Sequence, residues 1–304
     1  MATKKDLARI GVAAGIVAGS TAAVAAGLCA LVAPRRQTPE LDARWRTVCS
    51  YRYAHRGLYD MALDVPENSL AAFRRARDAG FGVELDVHLT RDGRLVVIHD
   101  SDTARMCGTS LVVEDTDLAD LRELRLVGTG ERIPTFEEVL SVFDSGEGEP
   151  YPPIIVEVKT RGCNADLLCA KTMGLLDTHR VRACVESFDP RVLAWLRRNH
   201  PDVIRGQLAE NFMAESEVGE LALPVRLGAT MLAGNAIARP DFVAYRFADV
   251  MAGSRPVRLV CDRMGAHLVT WTCRTQAELL ASEAMGAPGI FEGFVPSPEA
   301  RVRM

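Results

Sequence analysis

Carboxylates and imidazoles recur in this sequence at spacings that would gather them at one end of a sheet. In Val83-Glu84-Leu85-Asp86-Val87, strand alternation sends Glu84 and Asp86 to one face and the apolar residues to the other. In Ile154-Ile155-Val156-Glu157-Val158-Lys159 it pairs Glu157 with Lys159. Acids in apolar strands are costly unless protonated, paired with a cation or bound to a metal. Three converging carboxylates make an oxygen-rich site for one hard divalent cation, Mg²⁺ or Ca²⁺. An ion pair from Lys159 would neutralise one acid and leave the others. His55 ends one strand and His99 ends another, so two imidazoles at neighbouring rims could divide an acid's and a base's work. His88 shares its parity with Glu84 and Asp86, and spacing leaves open whether His88 or His99 partners His55. Arg56 and Lys159 supply donors that suit a phosphate.

The elements that must carry these residues can be read in order. Tyr51 to His55 reads as a strand, and Asn68-Ser69 caps a helix bearing Leu70, Phe73 and Ala76 that Gly80 stops. Asp92-Gly93 turns the Glu84 strand back through Val96-Val97-Ile98-His99 as a hairpin. Thr135 to Glu138 is a capping box opening a helix through Phe143, and Asp144 to Pro153 is a turn-rich loop. From the Glu157 strand onward helices and strands alternate. Helices are expected at Leu167–Leu176, from Asp189-Pro190 to Arg198, at Val257–Met264 and at Gln276–Met285. Strands are expected at Val181–Phe188, Val203–Leu208, Asp241–Tyr245, His267–Trp271 and Gly289–Glu292, with a less regular stretch from Leu208 to Asn235. About eight strand–helix units predict an α/β chain closed into a parallel (β/α)8 TIM barrel, whose sites lie at the carboxyl-terminal rim.

At 304 residues the chain is long enough for one large domain, and a net charge of −4 gives no reason to expect nucleic-acid binding. Its eight cysteines show no metal spacing and no disulfide framework, which leans towards a reducing compartment. Residues 1–9 are basic, and Ile10 to Ala33 is an uncharged run closed by Pro34-Arg35-Arg36. As a helix that run would cover about 36 Å, enough for a hydrocarbon core of about 30 Å. Its length and the placement of Pro34 favour an uncleaved anchor over a signal peptide. Gly11, Gly15 and Gly19 fall on one helical face, a surface on which two anchors could form a homodimer. The expected organisation is a single-pass cell-membrane protein: anchor 10–33, linker 34–49 and barrel 50–304. Basic residues nearly balance across the anchor and leave its orientation open.

Taken together, Ala54-His55-Arg56-Gly57, Pro66-Glu67-Asn68-Ser69, Glu84-Leu85-Asp86-Val87, Asp92-Gly93 through His99-Asp100, and Val156-Glu157-Val158-Lys159 resemble the glycerophosphodiester phosphodiesterase family. Ser187-Phe188-Asp189 and Trp271-Thr272 add weaker agreement, and the likeness runs from Tyr53 to Pro296. The resemblance implies metal-dependent hydrolysis of glycerophosphodiesters to glycerol 3-phosphate and an alcohol. It makes His55 and His99 the acid/base pair, Glu84, Asp86 and Glu157 the metal ligands, and Arg56, Lys159 and Trp271 the phosphate and substrate contacts. Glu67 is assigned to hold Arg56. Ile290-Phe291-Glu292-Gly293-Phe294 stands where many members carry an aspartate-containing turn, a departure expected to affect the choice of alcohol. Two other readings keep the same residues: a lysophospholipase D acting at the bilayer surface, and a tethered module that binds a phosphodiester without turnover.

Overall fold

The computed structural model describes residues 30–214 and 222–297. Nine strands form one sheet: β1 (Tyr53–His55), β2 (Gly82–Leu89), β3 (Leu95–Val97), β4 (Ile154–Val158), β5 (Ala183–Ser187), β6 (Arg205–Ala209), β7 (Phe242–Arg246), β8 (His267–Cys273) and β9 (Gly289–Phe291). Their order is β1-β9-β8-β7-β6-β5-β4-β2-β3, and β1 also pairs with β2. That pairing closes eight parallel strands into a barrel, with β3 antiparallel to β2 on its flank. Closure leaves no open edge among the eight barrel strands.

Alternation along each strand sorts the two sides. Val83, Leu85, Val87, Val156, Val158 and Val185 face outward and pack on the helices around the barrel. Among these are α2 (Leu70–Asp78), α3 (Phe136–Phe143), α4 (Ala165–Leu176) and α5 (Pro190–Asn199). The expected caps are present: Ser69 accepts from the Ala72 amide, Thr135 and Glu138 form a reciprocal box, and Asp189 accepts from Arg191. Each satisfies amides that a helix start leaves without partners.

Inside the barrel, Tyr53, Ile155, Cys184, Phe242, Val269 and Ile290 belong to one apolar cluster. Gly206 opens room for it, since a Cβ there would collide with the Phe242 ring. The same cluster takes in Leu41, Trp45 and Val48 from α1 (Pro39–Cys49). Within the stretch 34–49, expected to be a linker, Pro39–Cys49 is a helix capped by Thr38 that packs into the barrel's core. Its apolar face was masked by the charged residues between Leu41, Trp45 and Val48.

The expected anchor at 10–33 and the Gly11/Gly15/Gly19 face lie outside the described residues, apart from Ala30 to Ala33. Among the described residues no helix is long and apolar enough to cross a membrane. The stretch after β6 is more regular than expected, with α6 at Leu223–Thr230. Its composition, Leu-Pro-Val-Arg-Leu-Gly-Ala-Thr, mixes helix formers with Pro and Gly and shows no amphipathic period. The last long helix, α7, spans Gln276–Ala284 and packs beside β8 and β9.

Candidate active site

The acids meet where β2 and β4 run side by side. Asp86 is level with Glu157, and Glu84 with Ile155. One oxygen from each of Glu84, Asp86 and Glu157 lies within 4.8 Å of the others, and all three residues are buried. Lys159 follows the end of β4 and reaches back, its Nζ 2.7 Å from Glu157 and 3.1 Å from Asp86. Lys159 thus pairs with two of the three acids, more than the single pair expected of it.

The rest of the shell comes from three loops. His55 ends β1, level with Glu84. Its Nδ1 lies 2.5 Å from Glu292 Oε2, and its Nε2 lies 3.8 Å from Glu84. Arg56 and Gly57 both take positive φ. This turns the Arg56 amide to donate to Glu84 over 3.3 Å, while the side chain donates to Glu67 over 3.0 Å. Gly57 is required there twice over, because a Cβ would also sit 2.9 Å from Ala72 Cβ. Asn68, also at positive φ, donates through its side chain to Asp86 over 2.9 Å.

The hairpin carries His99 back to this level. Val97 pairs with Val87, and the Ile98 amide donates to the Asp86 carbonyl. His99 Nδ1 lies 2.7 Å from Asp100, whose other oxygen accepts from Arg105. Arg105 also donates to Glu67, linking the surroundings of the two histidines through one guanidinium. His88 takes a different place: its Nδ1 meets Glu114 at 2.7 Å and its Nε2 meets the His99 carbonyl at 3.1 Å. Both ring nitrogens are occupied, so His88 braces the hairpin and has none free for a substrate.

Burial and charge set the protonation states. Burial and the facing charges of Asp86, Glu157 and Glu186 push the Glu84 carboxyl well above its usual range. Burial also raises Asp86, but Lys159, His99 and Arg56 outweigh it and hold that carboxyl well below. Burial raises Glu157 despite the opposing charge of Lys159. Burial lowers His55 against the raising effect of Glu292, with Arg56 adding to the lowering, so the neutral imidazole is favoured. Burial alone would raise Glu292, but its hydrogen bond to His55 brings it down to about 2. An ionised Glu292 accepts from Nδ1–H and leaves the Nε2 lone pair free.

Three participants escaped the sequence reading. Glu186 is level with Glu157 on β5, buried, and raised by burial and by the Glu157 charge. It is a lone acid in Ala183-Cys184-Val185-Glu186-Ser187, the same signal that marked Glu157. In the sequence Asn68 stands out only as part of a helix cap. Glu292, expected to affect the choice of alcohol, also meets the His55 ring through its carboxylate. Trp271 lines the barrel interior with its Nε1–H donating to the Ala244 carbonyl over 3.1 Å. It can offer a substrate an apolar wall, not a hydrogen bond.

A family model described as the glycerophosphoryl diester phosphodiesterase family matches residues 55–295, from the first catalytic-candidate histidine to the end of the barrel. The chain belongs to this family. Over 96 residues it is 44% identical to a glycerophosphodiester phosphodiesterase of Caldanaerobacter subterraneus, a match covering 29% of this chain and 38% of that one. Over 127 residues it is 31% identical to a lysophospholipase D of Rattus norvegicus, covering 38% of each. Each of these two matches thus spans little more than a third of the relative's length. The fold of this family member is shared with an Oleispira antarctica phosphodiesterase solved with the product sn-glycerol-3-phosphate, at TM-score 0.61 and 22% identity, covering 80% of this chain and 92% of that one.

Proposed function

We propose that this family member hydrolyses glycerophosphodiesters to sn-glycerol 3-phosphate and an alcohol, with one divalent cation, Mg²⁺ or Ca²⁺, held by Glu84, Asp86 and Glu157. The observation that carries the reading is the convergence of those three buried acids beside a histidine whose Nδ1 is engaged by a carboxylate. The donor set fits a hard cation. Glu84, Asp86, Glu157 and Glu186 face Lys159 and Arg56, so full ionisation leaves negative charge in excess. Asp86 Oδ1 is buried and faces only the Lys159 ammonium, 3.1 Å away, out of hydrogen-bond alignment and shared with Glu157; a divalent cation would supply the charge that one shared lysine does not.

A bound cation would neutralise charge on the phosphoryl oxygens. The chain's own groups do the rest. Arg56 is fixed by Glu67, and its buried Nε–H lacks an aligned acceptor, which leaves a donor for a phosphoryl oxygen. His55, kept neutral, takes the proton of the attacking hydroxyl at Nε2. His99, beside Asp100, gives a proton to the departing alkoxide. In the family's scheme the hydroxyl is the substrate's own glycerol hydroxyl. Its oxygen bonds to phosphorus as the bond to the alcohol breaks, and water then opens the cyclic ester. Lys159 supports the acids and the phosphate, and Trp271 walls the pocket.

The apolar run 10–33 would tether the barrel to a cell membrane as a single pass, with α1 counted as part of the folded unit. A second substrate class, lysophospholipids, is favoured by the likeness to the rat lysophospholipase D over 127 residues. Purified full-length protein in detergent should release glycerol 3-phosphate from glycerophosphocholine with Mg²⁺ or Ca²⁺ and stop when chelator is added. Release unaffected by chelator would refute the metal site. A clear preference for lysophosphatidylcholine would transfer the chain to the second class, and no turnover of either would leave a binding module.

A further inference from the structure

The β6–β7 flank of the barrel carries an apolar surface that the proposed chemistry does not use. None of α6 is buried, and Leu223, Val225 and Leu227 are 62%, 54% and 53% exposed. Met231 and Ile237, further along the same connection, are about half exposed. An eight-residue helix showing three large aliphatic side chains to water, with two more nearby, forfeits the burial that ordinarily holds a surface helix in place.

Two observations bear on what would cover it. The first is where the apolar run 10–33 joins the barrel. Asn235 donates to the Val32 carbonyl, and Arg239 donates to the carbonyls of Ala30 and Ala33. Val32 and Ala229 of α6 pack on the same apolar cluster, with Phe212 and Leu232, and Leu31 beside them is 52% exposed. The segment read as a membrane anchor therefore enters the fold on the flank that carries α6. The second is the position of α6 relative to the site. Arg226 donates to the Phe212 carbonyl just beyond the carboxyl end of β6. Phe212 packs edge-on against Phe188, which packs edge-on against Trp271 inside the barrel. An aromatic row thus joins the interior wall of the site to the exposed flank.

We propose that this flank, centred on α6, lies in the interfacial zone of a lipid bilayer, so that the barrel rests on the membrane with its β6–β7 side down. The inference rests on the reading of residues 10–33 as an anchor. The surface α6 presents is aliphatic, so the attraction is apolar and suits a zwitterionic bilayer. Seated this way, the enzyme would take its substrate at the bilayer surface along the aromatic row.

The test is photolabelling of the full-length chain in phosphatidylcholine vesicles doped with a phosphatidylcholine bearing a diazirine on its acyl chain. Adducts would be mapped by peptide mass spectrometry. Adducts are expected both within 10–33 and within 223–231. The triple variant Leu223→Ser, Val225→Ser, Leu227→Ser should lose label at 223–231 by about tenfold while keeping it in 10–33. Adducts confined to 10–33 would overturn the proposal and leave the anchor standing. No adduct anywhere would sink the anchor reading itself. In a parallel sample carrying a benzophenone amino acid in place of Leu227, crosslinks from that position to residues 10–29 or to a second copy, with 223–231 free of lipid label, would name another occupant and also overturn it.

Discussion

Replacing Glu292 by Gln tests how His55 is poised. The carboxylate lies 2.5 Å from Nδ1, and the two side chains are only 17% and 14% exposed, so water screens the contact weakly. A hydrogen bond to a charged partner contributes about 1.5–3 kcal/mol, which corresponds to about 10- to 150-fold in rate where the bond acts on the transition state. The amide preserves the volume but can present an NH₂ to Nδ1 and favour the tautomer whose Nε2 carries the proton. kcat/KM for glycerophosphocholine should therefore fall by about that factor. The pH profile gives a second readout. Glu292 raises the His55 pKa against burial, so its loss leaves burial and Arg56 to lower that pKa further. A base works when deprotonated, so the acidic limb of kcat/KM should move to lower pH in the variant. A loss of less than about threefold, or a limb displaced to higher pH, would refute the assignment of Glu292 as the group that orients His55.

Three further predictions concern the closed end of the barrel. Trp45 on α1 packs 5.5 Å from Phe242 and stacks on His267 at 4.4 Å. Trp45→Ala should cost about 3–5 kcal/mol in denaturant unfolding, and a fragment beginning at Pro34 should fold where one beginning at Ser50 does not. Burial lowers the His267 pKa beneath its ordinary value. Its contribution to stability is thus complete above the unfolded-state pKa and declines as pH falls through the folded-state value. Thermal melts should show His267→Phe, which keeps a stacking ring, losing less stability on acidification than the parent; equal losses would remove His267 as the cause.

The sequence exposed those parts of the site whose neighbours made them conspicuous. Glu84, Asp86 and Glu157 stand out because apolar strand residues surround them, and the alternation that placed them on one face is the one seen in the barrel. The hairpin was legible from Asp92-Gly93, and with it the return of His99. What stayed hidden depends on distance along the chain. Glu292 lies 237 residues from His55, and nothing local marks it as that ring's partner. The role of His88 could not be settled from parity, because Glu114, which occupies its Nδ1, comes from a short helical turn beyond the hairpin. Helix α1 is hard to recognise in the sequence because its three buried residues are diluted by charge, and only the barrel floor reveals what they cover.

The two ends of the barrel interior follow opposite rules, and the contrast accounts for the placement of the site. At the amino-terminal end Tyr53, Phe242 and the α1 residues exclude water and need no counter-charge. One turn of alternation higher on the same strands, Tyr53 gives way to His55 and Ile155 to Glu157, so the wall changes from apolar to ionisable within about two residues' rise. Lys159 is the chain's own answer to that density of acid, bridging Asp86 and Glu157. It cannot also neutralise Glu84 and Glu186, whose carboxyls burial and the charges of Asp86 and Glu157 raise well above their usual range. Protonating those two acids or admitting a divalent cation are the ways left to relieve the repulsion. A divalent cation would offset the excess negative charge that Lys159 and Arg56 leave on these acids, and would free the Arg56 guanidinium to face the phosphoryl group of the proposed substrate.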